Sequence, residues 1–254
     1  MRIAFISDPH GDLVALKKVI SDLERTGFVD EVLVGGDLAQ GGAQPTQVVD
    51  VIRNRGWHSV RGNSDDFLIR VADGQLDEPG VPEDVAARGA WSVGKLGAKR
   101  IAYLRSLPTT LEVGTFPFGR VVMVHATPWS TEEVVLPDAD LDVALRMVRE
   151  ADARLLVYGH IHTPYQRRVG DAALLSIGAV SGSNDADPRP AYTIVNLGES
   201  ISAEVRRVDW SPAERLADYE KAGIELSGKQ RSSLTAPGPF PVRSQAGVAV
   251  TLWP

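Results

Sequence analysis

The sequence predicts an α/β chain in which two sheets pack face to face with helices outside. Three observations predict it. Short apolar runs of strand length, rich in β-branched residues and bounded by turn residues, recur along the 254 residues. In the first half they alternate with helical patterns, as parallel βα units do. From residue 153 onward they follow one another across short turns, which predicts a more antiparallel second half.

RIAFIS at 2–7, EVLVGG at 31–36 and HSVRG at 58–62 are the first three predicted strands. Between the first two, Leu13, Leu16, Ile20 and Leu23 recur at helical spacing behind a possible N-cap at Asp12. Val48, Val49 and Ile52 mark a second helix. The segment 77–119 interrupts the alternation. It opens with Pro79 and Pro82 and continues as AARGAWSVGKLGAKRIAYLRSLP, which predicts an inserted helical cap packed through Trp91, Leu96, Ile101, Tyr103 and Leu104. RVVMVHA at 120–126 resumes the strands, and a helix through Leu141, Ala144, Leu145 and Val148 leads into ARLLVYG at 153–159. ALLSIG at 173–178, AYTIVN at 191–196 and SAEVRRV at 202–208 complete the set. The main domain is therefore expected over 1–208, with 209–254 a C-terminal extension whose Pro-, Gly- and Ser-rich TAPGPFPVRSQ at 235–245 reads as a poorly structured tail.

Composition narrows the function. Hydrophobic residues make up 43% of the chain, enough for a sizeable core. A net charge of −6 argues against a protein that coats nucleic acid through its phosphates, and Arg167-Arg168 alone is ordinary surface. With no cysteine, disulfides, thiolate metal sites and cysteine nucleophiles are excluded. No run approaches the roughly 20 apolar residues that span a bilayer, and the N-terminus meets Asp8 too early for a signal peptide. The expectation is a soluble, cytoplasmic protein without a membrane partner.

The chemistry lies in how the strands end. IAFISDPHGD closes on Asp8 and His10, VLVGGD on Asp37, HSVRGNSD on Asn63, VVMVHATP on His125, and LLVYGHIH on His160 and His162. Taken singly, each has a plain reading: Asp8 as a helix cap, GD and GN as turns, His125 as a half-buried histidine. Together they spend four of the five histidines at strand ends, where open α/β sheets collect ligands. Two carboxylates, an amide and four imidazoles suit hard-to-borderline divalent ions, and seven donors suit two ions sharing a carboxylate, about 3.5–4 Å apart. In a strand-like segment His160 and His162, two residues apart, face one pocket with Ile161 packing behind. The fifth histidine, His58, starts a strand and is expected to be structural. Arg61 is placed to meet either a phosphate or a neighbouring carboxylate. Trp91 is expected in the core and Trp129 beside the site.

D-x-H, G-D, G-N-x-D, H and G-H-x-H, in this order from Asp8 to His162, resemble the calcineurin-like metallophosphoesterases, and SIGAVSGSNDADPRPAY at 176–192 is similar to the segment after GHxH in their bacterial and archaeal phosphodiesterase branch. The resemblance implies a four-layer α-β-β-α sandwich of two mixed sheets with a dinuclear centre. Asp8, His10 and His162 would hold one ion, Asn63, His125 and His160 the other, with Asp37 bridging. Two divalent ions are implied, manganese foremost, with iron, nickel or zinc as alternatives. The implied reaction is phosphoester hydrolysis by a hydroxide between the ions, with Asn63, Asp65 and His125 as catalytic candidates.

Two departures bear on substrate. The protein-phosphatase branch carries Asp-Arg-Gly after its GD and a histidine after its GN; this chain reads GDLAQGG and GNSD. Ser64 cannot act as a general acid near neutral pH, which leaves His10 or Asp65 acting through water. This favours a phosphodiesterase acting on a small phosphate-ester or nucleotide substrate. The alternatives are a phosphomonoesterase or dinucleoside-polyphosphate hydrolase and, from another class, a non-catalytic metal-binding scaffold. Specificity is expected in the 77–119 segment and in the loop after His125.

Overall fold

The computed structural model describes residues 1–75, 81–235 and 249–253. The first unit is β1 (Arg2–Ile6), α1 (Leu13–Arg25), β2 (Glu31–Val34), α2 (Pro45–Asn54), β3 (His58–Ser59) and α3 (Asn63–Ala72). Asp12 caps α1, its Oδ1 accepting the Ala15 N–H at 3.0 Å, and the apolar stripe Leu13, Leu16, Ile20 and Leu23 is buried. The three strands are parallel, as crossover helices require.

Next come α4 (Glu83–Ser106), β4 (Thr110–Phe116), β5 (Gly119–Val124), α5 (Leu141–Glu150), β6 (Leu155–Tyr158), β7 (Tyr165–Val169) and β8 (Ala172–Ser176), then β9 (Ala191–Leu197), β10 (Ile201–Arg207), α6 (Pro212–Lys221), α7 (Gly228–Thr235) and β11 (Ala249–Trp253). The first sheet runs β11-β10-β9-β1-β2-β3 and the second β4-β5-β6-β8-β7. Both are mixed. The second half is less antiparallel than its short turns imply: β5, β6 and β8 are parallel, because α5 carries the chain across between β5 and β6, and the β7–β8 hairpin folds back to lay β8 beside β6.

Strand alternation builds the four layers. Ile3, Phe5 and Leu33 of the first sheet meet Val121, Met123, Leu155 and Val157 of the second in the central core. Ala4, Ile6 and Val34 face outward under α1, α2, α3 and α4. Val122, Val124, Leu156 and Tyr158 face the other way under α5. On α5, Ala144, Met147 and Val148 are buried, whereas Leu141 at its first residue is 54% exposed.

The helix expected within 77–119 occupies Glu83–Ser106, kinked at Gly97, and lies on α2 and α3 through Leu96, Ile101 and Leu104. Arg100 reaches back to Asp50 on α2 through two hydrogen bonds of 2.8 and 2.6 Å. The residues after it differ from expectation: 110–116 form strand β4 at the edge of the second sheet, not helix. Trp91 is half-exposed beside Arg88 and Lys95 instead of in the core. The opening of that segment at Pro79, and residues 236–245 of the expected tail, lie outside the described residues. The C-terminal extension joins the fold. Helix α6 docks on α1, and β11 pairs antiparallel with β10. Among the described residues no helix is long and apolar enough to cross a membrane.

Candidate metal centre

The parallel strands of each sheet end on one side of the sandwich, and all seven candidate donors follow those ends. The loops are bonded to one another. Asp8 N–H donates to Gly36 O at 3.1 Å, His10 N–H to Asp37 O at 2.9 Å, and Gly159 N–H to His125 O at 2.9 Å. Glycine permits two further close approaches among these loops. A Cβ on Gly62 would stand 2.1 Å from Asp37 Oδ1, and one on Gly159 would stand 2.1 Å from Ser7 Oγ.

The backbone at five of the seven donors is left-handed. φ is 55° at Asp8, 46° at His10, 57° at Asp37, 62° at His160 and 55° at His162. Each such conformation costs on the order of 1 kcal/mol, and Asp and His bear it better than branched residues. This corrects the strand-like reading of GHxH. Strand β6 stops at Tyr158, and His160 and His162 converge because two left-handed residues curl the loop, while Ile161 between them is buried as expected.

Each imidazole has one nitrogen on a main-chain carbonyl. Nδ1–H of His10 donates to Gln40 O at 2.8 Å, of His125 to Gly35 O at 2.6 Å, and of His162 to Gly182 O at 2.6 Å; His160 instead donates Nε2–H to Glu132 O at 3.0 Å. A carbonyl only accepts, so these contacts fix the tautomers and turn the other four nitrogens inward. There they meet more acceptors. Asp8 Oδ1 is 3.3 Å from His162 Nε2 and 3.9 Å from His10 Nε2. Asp37 lies between two groups, its Oδ2 3.6 Å from His10 Nε2 and its Oδ1 3.5 Å from His125 Nε2. Asn63 Oδ1 is 3.0 Å from His125 Nε2 and 3.1 Å from His160 Nδ1. Asp8, His10 and His162 form one cluster with ligand atoms within 4.8 Å of one another, and Asp8, Asp37 and His125 form a second.

This donor set fits divalent cations. Asp8 Oδ1 is buried among the other acceptors, an arrangement that a positive charge relieves, whether a bound cation or, without one, the proton that Asp8 holds on His162. The titration shifts point the same way. Burial pulls His10 and His160 down, with neighbouring histidines adding to the effect. Burial also works on His125 and His162, but there the Asp37 and Asp8 carboxylates outweigh it, and His162 is pushed up to about 9.

Asp65, a catalytic candidate in the sequence, is bonded here to main chain. It is fully buried, with Oδ2 accepting the N–H groups of Asp37 (2.9 Å) and Gly62 (3.1 Å), and Oδ1 that of Leu38 (2.9 Å). Burial and then the Asp37 charge push it up to about 7, against the three donors that favour its ionised form. It clamps the loop after β2 to the start of α3 and does not face the cluster's open side. His10, with one nitrogen on Gln40 and the other among the donors, is not a free acid either. Ser64 contributes its backbone, N–H to Asp37 Oδ1 at 2.9 Å. Arg61 takes the carboxylate reading, with Nε 2.7 Å from Asp66 and Nη1 donating to the carbonyls of Arg105 and Leu107. His58 is exposed on β3, away from the donors. Trp129 lines a cleft beside His160.

Two features left no mark in the sequence. The four carbonyl anchors belong to residues of any type. The second feature is Arg215 on α6, buried, with Nε 2.8 Å from Asp12 Oδ2 and Nη2 bonded to Ser181 Oγ. It ties the loop that carries His10 to the loop whose Gly182 carbonyl holds His162.

Known proteins can now be set beside this geometry. Residues 1–200 match the calcineurin-like phosphoesterase superfamily domain. A metallophosphoesterase from Sphaerobacter thermophilus is 26% identical, with 93% of this chain and 98% of that one covered at a TM-score of 0.75. A hypothetical protein from Pyrococcus horikoshii OT3 shares the fold at a TM-score of 0.79 with 18% identity, over 94% of this chain and 99% of that one. An uncharacterized protein of Methanocaldococcus jannaschii is 29% identical over 180 residues, 70% of this chain and 69% of its own length.

Proposed function

The chain belongs to the calcineurin-like phosphoesterase superfamily, and from that membership we propose that it is a metal-dependent phosphodiesterase with two divalent ions, manganese foremost. The observation that supports this reading is the inward convergence of seven donors in which every histidine is oriented by a backbone carbonyl and the two oxygens of Asp37 divide between His10 and His125. Asp8, His10 and His162 would hold one ion, Asn63, His125 and His160 the other, with Asp37 shared. Bound there, such ions supply Lewis acidity toward a phosphoryl oxygen and an acidified water.

The chain's own residues set the rest. Asn63 begins α3, so the positive end of that helix faces the anionic ester. Asp65 holds the two loops that present Asp37 and Asn63. Neither Ser64, Asp65 nor His10 offers a proton to the departing oxygen, which favours esters whose leaving group needs little help. The test is hydrolysis of bis-p-nitrophenyl phosphate with added manganese, beside a monoester and a dinucleoside polyphosphate. We expect the diester to be preferred and Asp37→Ala and His160→Ala to lose activity. Full activity in both variants sinks the proposal.

A further inference from the structure

We propose that the cleft beside His160 binds a neutral, polyhydroxylated alcohol arm of the substrate, such as a glycerol or sugar unit. The inference rests on the phosphoesterase reading above and names the substrate class for the same site.

The cleft, about 330 Å³, is lined by Asp66, Thr109, Trp129, Thr131 and Glu132, among others. Its walls belong to the elements that present Asn63, His125 and His160. Asp66 is one turn along α3 from Asn63, Trp129 and Thr131 sit on the loop after His125, and the Glu132 main chain accepts His160 Nε2–H. A group held here is attached to whatever phosphate lies among the donors.

The chemistry of the walls selects the arm. Both acids face arginines: Asp66 Oδ1 lies 2.7 Å from Arg61 Nε, and Glu132 Oε1 lies 3.8 Å from Arg70 Nη2. The cleft therefore carries no excess charge. A second phosphate would meet two carboxylates, and a quaternary ammonium would meet carboxylates whose charge Arg61 and Arg70 already offset. A hydroxyl donates to a carboxylate already paired without disturbing the pair. Glu132 is 62% exposed, and the Thr109 side chain also borders the cleft. Thr131 Oγ1 donates to Asp66 Oδ2 at 3.1 Å and keeps that carboxylate turned into the cleft. The remaining wall is the indole of Trp129, held by Arg146 stacked 3.7 Å from its ring centre and by Glu133 on its N–H. Flat aromatic surface beside paired carboxylates suits the C–H face and hydroxyl edge of a polyol.

The test uses four diesters with p-nitrophenol as the common leaving group, so that leaving-group acidity is constant, and varies the second arm: 2,3-dihydroxypropyl, n-propyl, phosphoethyl and trimethylammonioethyl. We expect kcat/KM for the dihydroxypropyl ester to exceed that for the propyl ester by about tenfold, mostly in KM, as two extra hydrogen bonds allow. Glu132→Gln and Thr109→Val should each bring the ratio toward one. Independently, methyl riboside titrated into the 15N-labelled, metal-free chain should shift the Trp129 indole and Thr131 amide signals. Equal rates on the dihydroxypropyl and propyl esters, a preference for either charged arm, or no shift at these signals would overturn this proposal alone. No hydrolysis of any ester by metal-loaded protein would bring down the phosphoesterase reading and this proposal with it.

Discussion

The two halves of the donor cluster are built differently. The Asp12–Arg215 pair fastens the loop that carries His10 to the Ser181–Gly182 loop, on whose carbonyl His162 leans, with Ser181 N–H also bonded to Asp8 O at 3.1 Å. His160 leans on Glu132, in a loop that borders an open cleft. The first half is braced by buried charge, whereas one ligand of the second depends on an exposed segment. The groups that hold a ligand's far nitrogen set its orientation and hence its affinity. The difference teaches that an ion held by Asp8, His10 and His162 would be the tighter and first to bind, and the other would be free to adjust with substrate.

Four experiments test this contrast. Asp37→Ala removes the carboxylate common to both halves, so it should erase the contrast altogether. Activity should fall at least about a thousandfold, equivalent to roughly 4 kcal/mol, with both ions lost by calorimetric titration. Arg215→Met attacks only the braced half. It leaves Asp12 buried without its partner, which costs roughly 3–5 kcal/mol in denaturant unfolding. The tighter binding step should weaken about 10–100-fold while the weaker step holds. Equal loss at both steps would refute the contrast.

The third experiment varies pH. His162, raised from 6.5 to about 9 by Asp8, must shed its proton to ligate. Affinity of the first half should therefore climb by up to about tenfold per pH unit toward that value, with proton release visible as a buffer-dependent binding enthalpy. Without metal the sign reverses. This proton's stabilisation is fully present below 6.5 and is lost as pH rises through about 9. The smallest effect is the control. Asp50→Ala breaks the pair with Arg100, partly exposed on both sides, and should cost under about 1 kcal/mol and change neither binding step.

What the sequence makes legible follows from where the information is carried. The seven donors are visible because their chemistry is in their side chains and each ends an apolar run. The different surroundings of Asn63 and Asp65 are not visible in GNSD. On a helix, residues two apart point about 200° from one another, so Asn63 turns to the donors and Asp65 to the Leu38 loop. TLEVGTF at 110–116 lies within the segment read as a helical cap; Pro108 ends the helix before it, and it forms an edge strand because β5 offers it a partner. The left-handed backbone at five donors, the carbonyl anchors and the Asp12–Arg215 pair depend on backbone geometry and distant contacts, which no local pattern encodes.

The place of β1 has a consequence in time. It is synthesised well before β9, yet it lies between β2 and β9, with Arg2 opposite Asn196 and Phe5 opposite Thr193. Until β9 leaves the ribosome, one edge of β1 has no partner, and the Gly182 carbonyl that orients His162 has only just been made. A nascent or prematurely ended chain therefore cannot assemble the donor cluster. Ion uptake would mark a chain extended past β9, and until then the open edge of β1 must be shielded from aggregation.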